Sequence, residues 1–268
     1  MMGKSSSMLF IYAVAFMAFL YGPVLLLPLF SFNDSTFAAF PLKGFTLRHY
    51  SSMAHDSSML LALKSSILVA IIVALVSTAI AIPASIALTR YRLPGGRIIL
   101  STMMLPLVFP TIVIAVALLS ILVRVLNMEL SLWTIGAGHI LICLPFAMTV
   151  LMSRLEGFDR SLEEASRDLG EGAWQTFRRI TLPLIMPGII SSLLLAFITS
   201  FDEFVLAFFL SGTQPTLPVY LFSQLRFPGK LPNVLALGSV ILMVSAFAVV
   251  LAELARRRGA GATIPDRG

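Results

Sequence analysis

Asp202 and Glu203 are adjacent acids in a run, Met186 to Leu210, that holds no other charged residue. An acid near a bilayer core costs on the order of 2.5–3.5 kcal/mol on insertion scales, so it requires a partner, a proton or a water-filled path. Counted from Met186, Asp202 lies about 24 Å along a helix at 1.5 Å per residue, in the outer part of a hydrocarbon core about 30 Å thick. Successive helical residues differ by about 100°, so the two acids cannot both point squarely into one path. Phe201, Phe204, Phe208 and Phe209 surround them, and their ring faces could help to hold an organic ammonium. The plainer alternative is that the acids cap or pair at a helix interface while the rings face lipid.

Other reactive side chains form no comparable constellation. His49, His55 and His139 are far apart and lack metal-ligand spacing, so no metal site is expected. Cys143 is the single cysteine, too few for a disulfide or a thiolate metal site, and reads as a small core residue. The chain has no Walker phosphate loop and no GxSxG turn, so neither ATP chemistry nor an intramembrane hydrolase has its residues here.

The elements that must position Asp202 and Glu203 follow from composition. Of 268 residues 58% are hydrophobic and 12% charged, against roughly 25% charged in a soluble domain. That excludes a soluble enzyme, a disordered chain and a disulfide scaffold. The net charge of +6 is no nucleic-acid signature, because the apolar tracts leave little water-facing surface to carry it. Six segments reach the roughly 20 residues a spanning helix needs: about Met8–Phe30, Met59–Leu88, Ile98–Val123, Leu132–Met152, Met186–Leu210 and Val234–Leu254. The first is too long for a signal peptide, lacks a convincing small-residue cleavage site and contains Pro23 and Pro28, so it reads as a membrane anchor. No fixed-period repeat or linker divides the chain, and residues 1–268 are expected to form a single transmembrane domain.

Cytoplasmic loops retain Lys and Arg. One set of alternate loops holds thirteen of them, at Lys4, Arg90, Arg92, Arg97, Arg154, Arg160, Arg167, Arg178, Arg179, Arg256, Arg257, Arg258 and Arg267. The other set holds six, at Lys43, Arg48, Lys64, Arg124, Arg226 and Lys230. Both termini are therefore expected in the cytoplasm, with the loops around Asp34, Glu129 and Lys230 outside.

The loop between the fourth and fifth segments is unlike the rest. It carries six acids, Glu156, Asp159, Glu163, Glu164, Asp168 and Glu171, against five arginines. Ser161 and Glu164 have capping-box spacing, and Leu162, Ala165 and Leu169 mark one apolar face, which predicts a short amphipathic helix. Gly170 is placed to end it in a left-handed turn. A second helical piece is expected over about Gly172–Ile180, with Pro183 and Pro187 re-aiming the chain into the fifth span. An interfacial helix resting on lipid headgroups is the competing reading, but so many acids would be repelled by anionic lipid.

At these residues the chain resembles a family. Glu164-Ala165-Ser166, then Gly170 after three residues, then Ile180, Leu182 and Pro183, resemble the EAA loop of the membrane subunits of binding-protein-dependent ABC importers. Ser166 stands where the pattern usually has Ala. The likeness covers about residues 59–254, with a coupling loop over about 159–183 and the N-terminal span 8–30 outside it. Pro106 and Pro110 in LPLVFPTIVIAVALL agree with prolines common in the third span of these permeases. A closer similarity is to the second permease of spermidine and putrescine importers, through SFN at 31–33, GFTLRHY at 44–50, SFDEFVLAFFLSG at 200–212 and the stretch from Leu217 to Ser245. Branches that import ferric iron, thiamine, opines or organic acids share parts of these motifs.

The resemblance implies an all-α membrane protein of six transmembrane helices, the type I ABC importer permease (MetI-like) fold with a cytoplasmic coupling helix. It implies that Glu163, Glu164, Ala165, Ser166, Arg167, Leu169 and Gly170 engage an ATPase subunit, Ala165 and Gly170 allowing close approach and Glu164 and Arg167 setting register. It also implies partners: a second homologous permease, two ATPase copies that bind ATP and Mg, and a periplasmic or lipid-anchored substrate-binding protein. The chain itself is expected to bind no cofactor and to be a transport subunit of the bacterial inner membrane. An ion-driven carrier with inverted repeats or a membrane enzyme is the competing class, and an ion-driven carrier has no reason to keep the coupling loop.

Overall fold

The computed structural model describes residues 4–91 and 93–260, with side chains described from Met8 to Phe247. Two of the basic residues used for orientation, Arg92 and Arg267, lie outside the described residues, as do the side chains of Lys4 and Arg256 to Arg258. Among the described residues every regular element is helical, and extended pairing is confined to an isolated bridge between Asn33 and Phe45. By contacts the chain forms two compact units: the described parts of Met1–Ser57 and Leu221–Gly268, and Ser58–Tyr220.

In the first unit α1 (Lys4–Ser31) and α12 (Leu231–Ala260) are long apolar helices that pack on one another, and α2 (Arg48–Ala54) packs on α12. The loop between α1 and α2 is ordered by polar contacts. Asn33 Oδ1 accepts the Lys43 N–H at 2.9 Å, His49 Nε2 lies 3.1 Å from the Asn33 carbonyl, and the Arg48 guanidinium donates to Asp34 at 3.0 Å.

The second unit holds the remaining spans. α3 (Ser57–Arg90) and α6 (Leu132–Glu156) are each long and apolar enough to cross a bilayer. The third apolar segment is not one straight span. α4 (Gly96–Val108) and α5 (Thr111–Ser120), which runs on into a π-helical turn over Ile121–Val125, meet at 102°. Pro110 causes the break: it has no N–H to continue the ladder, and it holds Phe109 extended at ψ 141°. Pro106 stays inside α4.

The fifth span also differs from expectation. Helical backbone runs without interruption from Ala173 to Asp202, as α8 (Ala173–Thr176), a π-helical turn over Phe177–Thr181 and α9 (Leu182–Asp202). Pro183 sits in the first turn of α9, where a missing N–H is tolerated, and Pro187 lies inside it, yet the helix runs on through both, so neither ends it. Glu203 then leaves helical geometry at ψ 115°, and α10 (Val205–Leu210) is a separate short helix followed by α11 (Leu217–Gln224). Among the described residues five helices thus have spanning length, and the bent α4–α5 pair supplies the apolar length of a sixth.

Small residues make this unit tight. Ala70, Ala74, Ala81, Ala115, Ala147, Ala196 and Ala207 are all buried, and α6 and α9 form its most extensive helix pair. In lipid, helices gain little from burying apolar surface, so close backbone approach and hydrogen bonds between helices carry the association. Thr78 and Ser192 share a buried hydrogen bond at 3.0 Å, the Thr134 hydroxyl donates to the Leu210 carbonyl at 2.8 Å, and His139 Nδ1 lies 2.9 Å from Ser200 Oγ.

Candidate functional site: the coupling loop and the paired acids

The loop after α6 builds a short helix, α7 (Ser161–Asp168), as the charge and apolar pattern predict. Its start is not the capping box expected from Ser161 and Glu164. Arg160 precedes the helix with helical torsions and no capping side chain, and Asp159 does the capping instead, accepting the Ser161 N–H at 2.9 Å. Hydrogen bonds from the Ser161 backbone and hydroxyl hold the Asp159 carboxyl below the usual carboxylate range.

The end of α7 is as expected. Gly170 adopts φ +88°, the Gly170 N–H donates to the Arg167 carbonyl at 2.9 Å, and the Glu171 N–H donates to the Ser166 carbonyl at 3.2 Å. These two bonds are a Schellman closure, which satisfies carbonyls the helix would otherwise leave open and needs a left-handed residue at this position. Within this chain a Cβ at Gly170 would meet nothing within 4 Å, so the chain's own packing leaves room there and the torsion is what calls for glycine.

The orientation of α7 inverts the ordinary use of an amphipathic helix. Its polar residues Glu163 and Ser166 are buried against the rest of the unit, while Leu162, Ala165 and Leu169 are exposed, Leu169 at 86%. Trp174, on α8 just beyond, is 69% exposed and leans on Phe177. Ser166 Oγ lies 3.1 Å from Thr176 Oγ1, both buried, which gives the hydroxyl at this alanine-pattern position a partner. Glu164 and Arg167 remain exposed, with Glu164 3.5 Å from Arg160.

Glu163 is held by two elements that sequence reading does not connect to it. Its Oε2 lies 3.0 Å from Arg90 Nε, an ion pair without hydrogen-bond alignment, and its Oε1 accepts the Thr181 hydroxyl at 2.7 Å. The two charged side chains are only 10% and 8% exposed. Arg90 also donates to the Leu155 carbonyl at 2.9 Å and lies 4.5 Å over the Phe158 ring, and Arg160 donates to the Arg90 carbonyl at 3.2 Å. The only sequence signal for Arg90 is a basic residue closing a span, which serves orientation equally well.

The paired acids are separated by the break after α9. Asp202 is the last residue of α9 and is exposed. Glu203 folds back, and its Oε1 accepts the Leu206 N–H at 2.9 Å, so it caps α10. Phe201 stacks on Phe197 with centroids 5.9 Å apart, and Phe204 pairs with Phe208 at 5.6 Å. Each ring thus leans on a neighbour four residues away.

The three histidines stay apart. His55 Nδ1 is 2.7 Å from the Ser51 carbonyl, and among the described residues no group of His, Cys, Asp or Glu could hold a metal ion.

Long apolar helices, with one bent pair and a break after Asp202, and a polar-anchored helix in a loop that ends in a Schellman turn, describe a multi-span membrane protein. The family described as binding-protein-dependent transport system inner membrane component matches residues 79–259, and the chain belongs to it. It is a multi-pass inner-membrane protein, the permease subunit of an ABC importer, and membership brings partnership with another permease, an ATPase and a substrate-binding protein. The chain is 34% identical over 247 residues to the spermidine/putrescine transport system permease protein PotC of Escherichia coli (strain K12), covering 92% of each chain. It is 36% identical over 231 residues to the putrescine transport system permease protein PotI of the same strain, covering 84% of this chain and 82% of that one. In fold it is similar to a chain of a bacterial ABC transporter involved in the import of alginate. The TM-score there is 0.68 at 18% identity, over 95% of this chain and 98% of that one.

Proposed function

We propose that this chain translocates a small organic polycation of the spermidine or putrescine type, as one of two homologous permeases driven by two ATPase copies. ATP and Mg are bound by the ATPase, and this chain supplies the path and the contact that receives the stroke. The polyamine reading rests on PotC and PotI, whose names state those substrates. The observation that carries the coupling role is the face α7 presents: Leu162, Ala165, Leu169 and Trp174 exposed, with Glu163 and Ser166 turned inward. A helix resting on headgroups would have to place Glu164 and Asp168 at an anionic surface, whereas an ATPase groove can cover the apolar face and pair the charges around it.

In this reading both termini and α7 face the cytoplasm, and the loops around Asp34, Glu129 and Lys230 receive the loaded binding protein. Asp202 is the acid that meets the cargo, because it is exposed and Glu203 is occupied in capping. An ammonium group that loses hydration on entering the bundle is compensated by a fixed carboxylate, since attraction strengthens as the local dielectric falls. The phenylalanines beside it add ring faces for the same cation.

The test is uptake of labelled putrescine and spermidine in cells lacking other importers, with the permease expressed alongside its genomic neighbours. No polyamine uptake by the wild type would remove the substrate. Cytoplasmic reporters are expected to be active when fused after Gly268 or near Arg92, and exported reporters near Lys43 and Lys230. The reverse pattern would overturn the orientation.

A further inference from the structure

The function above requires that movement of α7 reach the spans, and the contacts around Glu163 point to how. Four elements meet at one buried ion pair. Arg90 closes α3, and Glu163 belongs to α7. Thr181, which donates to Glu163, ends the π-helical turn that leads into α9. Leu155, whose carbonyl receives Arg90, is in the last turn of α6. Arg160 closes the set by donating to the Arg90 carbonyl.

We infer that Arg90 and Glu163 form a rigid joint that makes α7 and the adjoining ends of α3, α6 and α9 move as one body. This rests on the reading of α7 as the coupling helix. For α7 to slide past the spans, Glu163 and Arg90 must part, leaving two charges with little access to water, whereas an ion pair kept intact costs nothing when all four elements turn together. The links made by Ser166 and Thr176 are neutral and within the loop, so they fix its shape without reaching α3 or α6.

The alternative is a switch. A cavity of ≈ 170 Å³ beside the pair is lined by Arg90, Tyr91, Arg160, Glu163, Glu164 and Arg167. Arg160 or Arg167 could take over Glu163 if α7 moved. Against this, Glu163 already uses both oxygens, and Arg160 is engaged with the Arg90 carbonyl and with Glu164. Both Glu163 oxygens are thus occupied in this arrangement, and Arg90, whose Nε makes only the ion pair, is fixed by its bond to the Leu155 carbonyl. Arg90 and Glu163 are accordingly positioning residues.

The experiment uses the assembled transporter with its ATPase, with spin labels attached at Ser153→Cys on α6 and Asp168→Cys on α7. Both positions are exposed and outside the joint, and the one native cysteine, Cys143, is buried. The label-to-label distance is expected to be the same without nucleotide and with ATP held at the closed ATPase. In Glu163→Gln, which keeps an acceptor for Thr181 but loses the charge, the distribution should broaden and putrescine taken up per ATP hydrolysed should fall at least about tenfold. Thr181→Val keeps both charges and should lower that ratio less. A distance that changes between the two states of the wild type, or Thr181→Val more damaging than Glu163→Gln, overturns the rigid joint. So does a Glu163→Gln transporter with unchanged distance and ratio. The distance is read without transport, so loss of the joint is distinguishable from loss of the polyamine assignment.

Discussion

Gly170→Val perturbs one backbone torsion in open space, which makes its effect calculable. The φ of +88° belongs to a region that L residues with a Cβ avoid at roughly 1–2 kcal/mol, and a β-branched side chain stands at the upper end. No steric contribution is added, because a Cβ there has no neighbour within 4 Å. One or two kcal/mol is a factor of about 5–30 in the equilibrium ratio between the Schellman turn and its open forms. The spans should remain inserted, since the turn lies in the loop. If α7 must be presented in this conformation, putrescine uptake should fall by up to that factor, with permease abundance unchanged and substrate-stimulated ATP hydrolysis reduced in parallel. A graded series sharpens the test. Asn visits the left-handed region more readily than other non-glycine residues, so uptake should rank Gly above Asn, Asn above Ala and Ala above Val. Wild-type uptake in Gly170→Val would refute the requirement for this turn. Equal damage from Asn and Val would refute the torsional argument and point to side-chain bulk at a docked surface.

Asp202→Asn is expected to lower putrescine uptake at least tenfold with little change in thermal stability, whereas Glu203→Ala should cost about 1 kcal/mol of stability through the lost cap on α10, read as a lower Tm in detergent. Thr78→Val leaves the buried Ser192 hydroxyl unpartnered, and a double-mutant cycle with Ser192→Ala should return a coupling of about 0.6 kcal/mol from Tm shifts. Gly212→Ala would drive a Cβ into the Leu130 carbonyl, and because backbone yields poorly the cost should be about 1–3 kcal/mol, seen as lower abundance and Tm. Asp159 has a carboxyl pKa depressed by Ser161, so its contribution to the start of α7 is complete above the ordinary carboxylate pKa and is lost only as pH falls through the depressed value. Amide exchange at Leu162 to Glu164 should therefore be insensitive to Asp159 ionisation between about pH 5 and 8, and Asp159→Ala should raise it across that range.

Much of the architecture is a one-dimensional property and was readable from the chain. Hydrocarbon thickness demands about 20 apolar residues per crossing, and the segments beginning near Met8, Met59, Leu132 and Val234 became long helices close to those limits. Gly170 was legible because a left-handed helix end is a local torsional requirement carried by one residue type. The capping role of Asp159 was missed because Asp159 and Ser161 both carry a capping oxygen in sequence, and only backbone direction selects between them.

What tertiary structure decided is what depends on several elements meeting. Periodicity placed Leu162, Ala165 and Leu169 on one face of α7, but which face turns inward depended on Arg90 and Thr181, 73 residues before and 18 after Glu163 in sequence, arriving at one place. A buried Glu needs a counter-charge, and its partner's position is a property of the fold. The same holds for Asp202 and Glu203, which composition cannot tell apart. The break after α9 brought the Leu206 N–H within reach of Glu203 and left Asp202 exposed, because a helix start has unpaired donors and the nearer carboxylate takes one.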